Sequence, residues 1–241
     1  MAQNTSLCNF VQMGQVEYSK AWQIQRNLAD ARAAGRIADT LLVLEHPHTY
    51  TLGRSTQPGH LLMSEEERAR RGVAVIEVDR GGDITYHGPG QMVAYPIRYL
   101  GKPDLSGRLV KADYVGYIRN LEEVLIHTVA HFGIRGRREE GYTGVWVDTP
   151  TGPQKIAAIG VRVDARGISS HGIALNVTTD LSFFRGIIPC GITDKPVTSL
   201  EALLGHATPS MPQVIEKFAS AFAEIFGCQL AATTLDKLLT S

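Results

Sequence analysis

The chain has 241 residues, enough to bury a substantial core in one large α/β domain or two small ones. Lys plus Arg and Asp plus Glu both number 24, so no global charge argues for nucleic acid or an anionic membrane as partner. A basic segment followed by an apolar run is absent from the N-terminus, and no stretch approaches about 18 consecutive apolar residues, so a soluble, cytoplasmic protein is expected.

Leu7 to Met13 reads as a first strand, and Val16 to Ala34 as a helix with Trp22, Ile24 and Leu28 apolar and Gly35 at its end. Leu41 to Leu44 is a short buried strand entering the loop Glu45-His46-Pro47-His48. Ser64-Glu65-Glu66-Glu67 opens a helix with a capping-box pattern, and Gly72 closes it. Residues 73–78 and 92–97 are apolar and β-branched, as strands are. Tyr114, Ile118, Leu121, Leu125 and Phe132 recur at helical spacing, which predicts a long helix over 110–132. The basic run Arg135-Gly136-Arg137-Arg138, followed at once by Glu139-Glu140, reads as a solvated loop.

Strands then follow at 144–147, 155–163 and 168–177, the last two joined by the hairpin-type connection Asp164-Ala165-Arg166-Gly167. Thr198-Ser199-Leu200-Glu201 is a second capping box. Val214, Phe218, Phe222 and Ile225 form the apolar stripe of a last helix ending at Gly227. Adjacent hairpins with helices between and after them predict an α+β fold with a mixed, largely antiparallel sheet and flanking helices. No repeat or low-complexity linker divides residues 1–241, so one catalytic domain is expected, with a possible small helical extension over 205–241.

Between the strands at 73–78 and 92–97 lies Arg80-Gly81-Gly82-Asp83-Ile84-Thr85-Tyr86-His87-Gly88-Pro89-Gly90-Gln91. Glycine loses more conformational freedom on folding than any other residue, so a cluster of it points to positive φ or to close approach of another group. One reading is a glycine-rich hairpin connection. The other is a backbone surface cleared of side chains so that a ligand can lie against it. No helix start with Lys-Ser/Thr follows, which argues against a phosphate cradle.

Three cysteines without CxxC spacing argue against a disulfide framework and a structural zinc site. Cys8, beside Leu7 and Phe10, and Cys228, just past a helix end, read as structural thiols. Cys190 differs, because Pro189 and Gly191 hold it in a turn outside any apolar stripe. A free thiol with a pKa near ~8.5 is only a few per cent thiolate at neutral pH, so a nucleophilic Cys190 needs a cationic or basic neighbour. Lys155, at the start of the strand Lys155-Ile156-Ala157-Ala158-Ile159-Gly160, is one candidate, and His171 in a Cys–His pair is another. His46, His48, His87 and His171 are enough imidazoles for a metal, but none has ligand spacing, so no metal and no cofactor are expected.

Taken together the blocks resemble the lipoyl(octanoyl) transferases, enzymes of lipoate biosynthesis that share the catalytic fold of biotin and lipoate protein ligases. The likeness runs through His46-Pro47 and Tyr50-Thr51-Leu52-Gly53-Arg54, RGGDITYHGPGQMVAYPI (80–97) and Gly144-Val145-Trp146-Val147. It continues through KIAAIGVRV (155–163), SSHGIALNV (169–177) and PCGITDKPVTSL (189–200), in the family's order. One departure is His48-Thr49, where the family often carries a Pro-Val-type pair; it bears only on how that loop packs.

The resemblance implies transfer of an octanoyl group from octanoyl-acyl carrier protein to a lysine ε-amine. The acceptors would be lipoyl domains of 2-oxoacid dehydrogenase E2 subunits and the glycine cleavage H protein. It implies Cys190 as the nucleophile carrying the acyl thioester and Lys155 as the residue that lowers the thiol pKa. It implies substrate-binding stretches over Arg80, Gly81, Gly82, Asp83, Ile84, Thr85, Tyr86 and His87, over Ala158, Ile159 and Gly160, and over Gly172, Ile173 and Ala174. Glycines and alanines there would leave a narrow slot for an eight-carbon chain. At ~0.8 kcal/mol per buried methylene, such a chain supplies about 5 kcal/mol of binding. Thioester-to-amide transfer is downhill and needs neither ATP nor metal. Backbone N–H groups of Gly81-Gly82 or of Gly191 are the alternative oxyanion donors. The rival readings are an ATP-dependent lipoate or biotin ligase, which needs no thiol, and a non-catalytic acyl-binding homologue.

Overall fold

Period-two alternation builds the central sheet, and both its faces are apolar. On β2 (Asp39–Glu45), Leu41 and Val43 face one side while Leu42 and Leu44 face the other. On β6 (Gln91–Ile97), Met92 and Ala94 oppose Val93, Tyr95 and Ile97 in the same way. A sheet apolar on both faces must be covered on both. Helix α1 (Tyr18–Ala33) packs through Ala21, Ile24 and Leu28 on the side of Leu42 and Val93. Helices α3 (Tyr114–Ala130) and α5 (Met211–Phe226) pack through Leu121, Val124, Phe218 and Phe222 on the side of Leu41 and Met92.

The computed structural model describes residues 6–101, 113–188 and 196–239. The remaining strands are β1 (Ser6–Gln15), β3 (Thr49–Leu52), β4 (Ala74–Glu77), β5 (Thr85–His87), β7 (Gly136–Glu139), β8 (Tyr142–Thr149), β9 (Gly152–Val163), β10 (Ser169–Asn176) and β11 (Cys228–Ala232). The remaining α-helices are α2 (Glu65–Arg71), α4 (Leu200–Leu204) and α6 (Leu235–Leu239). Among the described residues eight strands form one sheet in the order β11-β1-β2-β6-β10-β9-β8-β7, parallel at β11-β1-β2 and antiparallel beyond. A three-stranded sheet, β4-β3-β5, stands apart from it. The expected α+β class with a largely antiparallel sheet and flanking helices is the observed one. No described helix is long and apolar enough to cross a membrane.

Caps act where the sequence places them. The Ser64 hydroxyl accepts from the Glu67 N–H at 3.2 Å, and Ser199 accepts from the Ala202 N–H at 3.1 Å. The Asp113 carboxylate caps α3 through the Gly116 N–H at 2.7 Å. Beyond residue 205, α5 places Val214, Phe218 and Phe222 in the main core, and β11 extends the main sheet past β1.

The fold sets aside the hairpin reading of the glycine block and corrects the loop expected at the basic run. The strands at 73–78 and 92–97 are not hairpin partners: β4 lies in the small sheet and β6 in the middle of the large one. Burial explains the separation, since every residue of β6 is buried while β4 is half exposed. The basic run at 135–138 is not a loop, because Gly136–Glu139 forms the edge strand β7. Both arginines of β7 have carboxylates of their own. Arg137 meets Asp148 at 2.6 Å and also Glu139, and Arg138 meets Glu122 at 3.0 Å and Glu123 at 2.6 Å.

Candidate active site

The predicted stretches on β9 and β10 are register partners. Ala158 pairs with Ala174, Ile159 with Ile173 and Gly160 with Gly172. Small side chains on the α1-facing side of this pair make a floor. Gly172 is needed there because a Cβ would run into the Ala94 carbonyl of β6. The glycine block closes over the floor from the small sheet. The Gly81 N–H donates to the Val161 carbonyl at 3.1 Å, and the Arg80 side chain crosses Gly160. Arg80 is held in that pose by donating to the Thr51 carbonyl at 2.8 Å and to the Gly81 carbonyl at 3.0 Å. Between floor and cover lies a cavity of about 450 Å³.

Arg80, Gly81, Gly82, Thr85, His87, Lys155, Ala158, Ile159, Gly160, Gly172, Ile173 and Ala174 all line this cavity. Asp83, Ile84 and Tyr86 are not among its walls. Alternation along β5 accounts for Tyr86: Thr85 and His87 face the cavity, so the residue between them faces away. Tyr86 stacks on Phe183 with ring centres 4.9 Å apart and shares a 2.7 Å hydrogen bond with His48. Ile84 lies in the same small cluster, with Tyr50 and Ile187. The Asp83 carboxylate accepts from its neighbour's N–H, Ile84, at 2.6 Å and contacts His60 Nδ1 at 2.5 Å. His48, the departure noted in the first loop, also stacks on Phe183 at 4.2 Å.

Two backbone irregularities aim two side chains into the cavity. On β8, Val145 pairs with Ala157 and the next residue, Trp146, pairs with Lys155, so β9 carries one extra residue, Ile156. Ile156 and Ala157 consequently both pack in the α3/α5 core, which strict alternation forbids. The bulge turns Lys155 to the opposite face, where its ammonium lies 4.8 Å from the Trp146 ring centre. Gly144, opposite the bulge with φ +115°, leaves room for the Ala157 carbonyl.

His171 is the second case. Alternation with Ile173 and Leu175 would send it into the α3/α5 core. Instead it has φ +55°, the one positive value at a non-glycine among the described residues. Its ring lies on the α1 side, beside Tyr18 and Trp22. Both ring nitrogens are engaged: Nε2 lies 2.8 Å from Asp79 Oδ1, and Nδ1 lies 3.2 Å from the Tyr18 hydroxyl. His171 pairs with Val161 and so stands at the end of the cavity away from Lys155.

Cys190 lies outside the described residues, but the described residues on either side of its segment are anchored. The Ile188 N–H donates to the His60 carbonyl at 2.8 Å, and the Lys155 N–H donates to the Pro196 carbonyl at 2.9 Å. The Thr198 N–H returns a bond to the Lys155 carbonyl at 2.9 Å. Cys8 and Cys228 are buried thiols of the main core, where Cys228 hydrogen bonds Cys8 and holds its thiol pKa up.

The other histidines are fixed by neighbours. His46 Nδ1 donates to the Val16 carbonyl at 2.6 Å, and its Nε2 accepts from the Tyr95 hydroxyl at 2.7 Å. His87 Nδ1 donates to Gln91 Oε1 at 2.8 Å, while the Gln91 amide donates to Asn176 Oδ1 at 2.9 Å. Burial pulls the His46 pKa down to about 4, pulls His87 well below the ordinary value and lowers His171 against the opposing pull of Asp79. Among the described residues no three His, Cys, Asp or Glu side chains converge to hold a metal ion.

Tyr18 and Tyr95 also line the cavity, and sequence patterns did not single them out. Tyr18 sits in the first turn of α1, where it reads as one more helix residue. Tyr95 lies inside the apolar run of β6, where it reads as core.

Known proteins resemble this chain in sequence and in fold. Residues 17–223 match the lipoyl protein ligase A/B catalytic domain. An octanoyltransferase of Chloroflexus aurantiacus is 49% identical over 217 residues, 90% of this chain and 93% of that protein. An octanoyltransferase of Acidobacterium capsulatum is 48% identical over 226 residues, 92% of this chain and 91% of that protein. A solved bipartite lipoate protein ligase of Thermoplasma acidophilum superposes with a TM-score of 0.72 at 15% identity, covering 98% of this chain and 91% of its own. The chain belongs to the lipoyl protein ligase A/B catalytic-domain family, and within it to the octanoyltransferases, which are acyltransferases.

Proposed function

We propose that residues 1–241 work as one cytoplasmic catalytic unit that takes an octanoyl group from an acyl-carrier-protein thioester onto Cys190. The unit then passes that group to a lysine ε-amine of a lipoyl domain, such as those of 2-oxoacid dehydrogenase E2 subunits or the glycine cleavage H protein. The observation that carries this reading is the bulge that turns Lys155 into one end of a small-residue slot. The same residue is hydrogen bonded to Pro196, the first described residue after the Cys190 segment.

In the first half-reaction the Cys190 thiolate attacks the donor carbonyl carbon. The new C–S bond forms, the donor's C–S bond breaks, and the carrier leaves as its thiol. A cationic Lys155 favours the thiolate. In the second half-reaction the acceptor amine attacks the enzyme thioester. The C–N bond forms, Cys190 leaves, and the amine proton passes to the Lys155 amine, which has given up its own proton to the departing carrier thiol. Alanine and glycine along β9 and β10 receive the alkyl chain, and its burial supplies about 5 kcal/mol at ~0.8 kcal/mol per methylene. Octanoyltransferase relatives and a lipoate ligase with the same fold support an acyl donor on one side and a lipoyl-domain acceptor on the other.

The test is an intact-mass measurement after incubation with octanoyl-acyl carrier protein, without ATP. A hydroxylamine-labile octanoyl adduct is expected on the wild type and not on Cys190→Ser. An octanoyl product that forms only from free octanoate and ATP would overturn the proposal in favour of a ligase.

A further inference from the structure

Four polar aromatic side chains, Tyr18, His87, Tyr95 and His171, gather where the small-residue floor ends. The Tyr18 ring stacks on His87 with centres 5.6 Å apart, and the Tyr95 and His171 rings meet edge to face at 6.4 Å. Their polar atoms are engaged by protein groups. His171 is held by Tyr18 and Asp79, Tyr95 donates to His46, and His87 donates to Gln91. Burial pushes the Tyr18 hydroxyl pKa up to about 12 and holds His171 toward its neutral form, so the four rings are polar rather than cationic, with the Arg80 side chain lining the same cavity and the Asp79 carboxylate against His171.

We propose that this wall, with Tyr18 at its centre, is the acyl-length gauge of the enzyme: it admits eight carbons and refuses ten. The inference rests on the octanoyl-transfer reading above and goes beyond it by assigning the residues that read length. The argument is one of sign. Each added methylene buried against an apolar wall improves binding several-fold, so a slot that stayed apolar would prefer the longer chain. A wall of hydrogen-bonded hydroxyls and imidazoles reverses that preference. A penetrating methyl must separate groups that are already paired, and it offers no hydrogen bond in return.

Dimensions are consistent with the gauge. Lys155 and Val161, the register partner of His171, are six residues apart on β9. That is about 17 Å of strand once the bulged residue is discounted. The Lys155 side chain and the aromatic rings occupy its two ends. An extended octanoyl chain of about 9 Å lies within that span, and every further pair of carbons reaches roughly 2.5 Å closer to the rings.

The experiment measures kcat/KM for octanoyl-, decanoyl- and dodecanoyl-carrier-protein donors on the full chain, wild type, Tyr18→Phe and Tyr18→Ala. Each variant's decanoyl-to-octanoyl ratio is the readout, which cancels any general loss of rate. The wild-type ratio is expected at or below about one tenth. Tyr18→Phe, which removes the hydroxyl but keeps the ring, raises it by about threefold. Tyr18→Ala opens the wall, raises it more than about tenfold and admits the dodecanoyl donor. A wild-type ratio near or above one overturns the gauge without any variant, and so do unchanged ratios in both variants with native melting profiles. A wild type that transfers no acyl group from any of the donors sinks the octanoyl-transfer reading itself, a different failure from the first.

Discussion

Lys155 is asked to be a cation in one half-reaction and a base in the next, and these roles separate on substitution. An arginine keeps the charge that favours the thiolate but cannot give up its proton. Lys155→Arg is therefore expected to form the octanoyl adduct within about tenfold of the wild-type rate and to pass it to a lipoyl domain more than about 100-fold slower. Single-turnover mass spectrometry follows both steps; equal slowing of the two would mean that Lys155 is not the base. Residues of this kind were legible because chemistry leaves a local mark, such as a charge at the edge of an alanine-glycine strand. His171 was legible only as a histidine on a strand. Its positive φ and its pairing with Asp79, 92 positions away in the chain, arise from tertiary contacts that no local pattern encodes.

Elements place these residues more than their own side chains do. The bulge at Ile156 and the left-handed turn at His171 break alternation on two adjacent strands, and both breaks add a polar group to one face. Regular strands at the same positions would bury Lys155 and His171 in the α3/α5 core. Close strand approach makes the floor equally sensitive. Gly172→Ala puts a methyl against the Ala94 carbonyl and is expected to cost about 1–3 kcal/mol by overpacking. A lower urea midpoint with unchanged slope would report that cost, and an unchanged midpoint would show that β6 and β10 separate freely. The long apolar strands and the capped helices were readable because burial and capping are periodic or local. The strands β3, β5, β7 and β11 were not. β5 has three residues inside a glycine block, and β7 is almost wholly charged, so neither offers a hydrophobic period to read.

At the scale of the whole molecule, three buried histidines tie stability to pH. His46, His87 and His171 all have folded pKa values below the ordinary histidine value of about 6.5, mainly through desolvation. The unfolded chain therefore binds more protons than the native one below that pH. Stability is complete above about pH 6.5 and falls as pH drops toward the folded values, that of His46 being about 4. Each histidine contributes up to about 1.4 kcal/mol per pH unit within its window. Melting temperatures are expected to hold from pH 8 to 7 and to fall steeply between pH 6 and 4.5. A flat profile across that range would show that these imidazoles titrate normally.

The charged run of β7 has a consequence for association. An open eight-stranded sheet exposes unpaired N–H and C=O groups at its margins, and a second copy can dock there to extend it. The β7 margin offers Arg137, Arg138 and Glu139, already committed to carboxylates or guanidinium groups of the same chain. An incoming strand would have to strip those ion pairs and bury their charges against its own backbone. The cluster that reads in sequence as a solvated loop works in the fold as a stop on sheet growth, and it keeps that margin of the catalytic sheet from becoming a template for its neighbours.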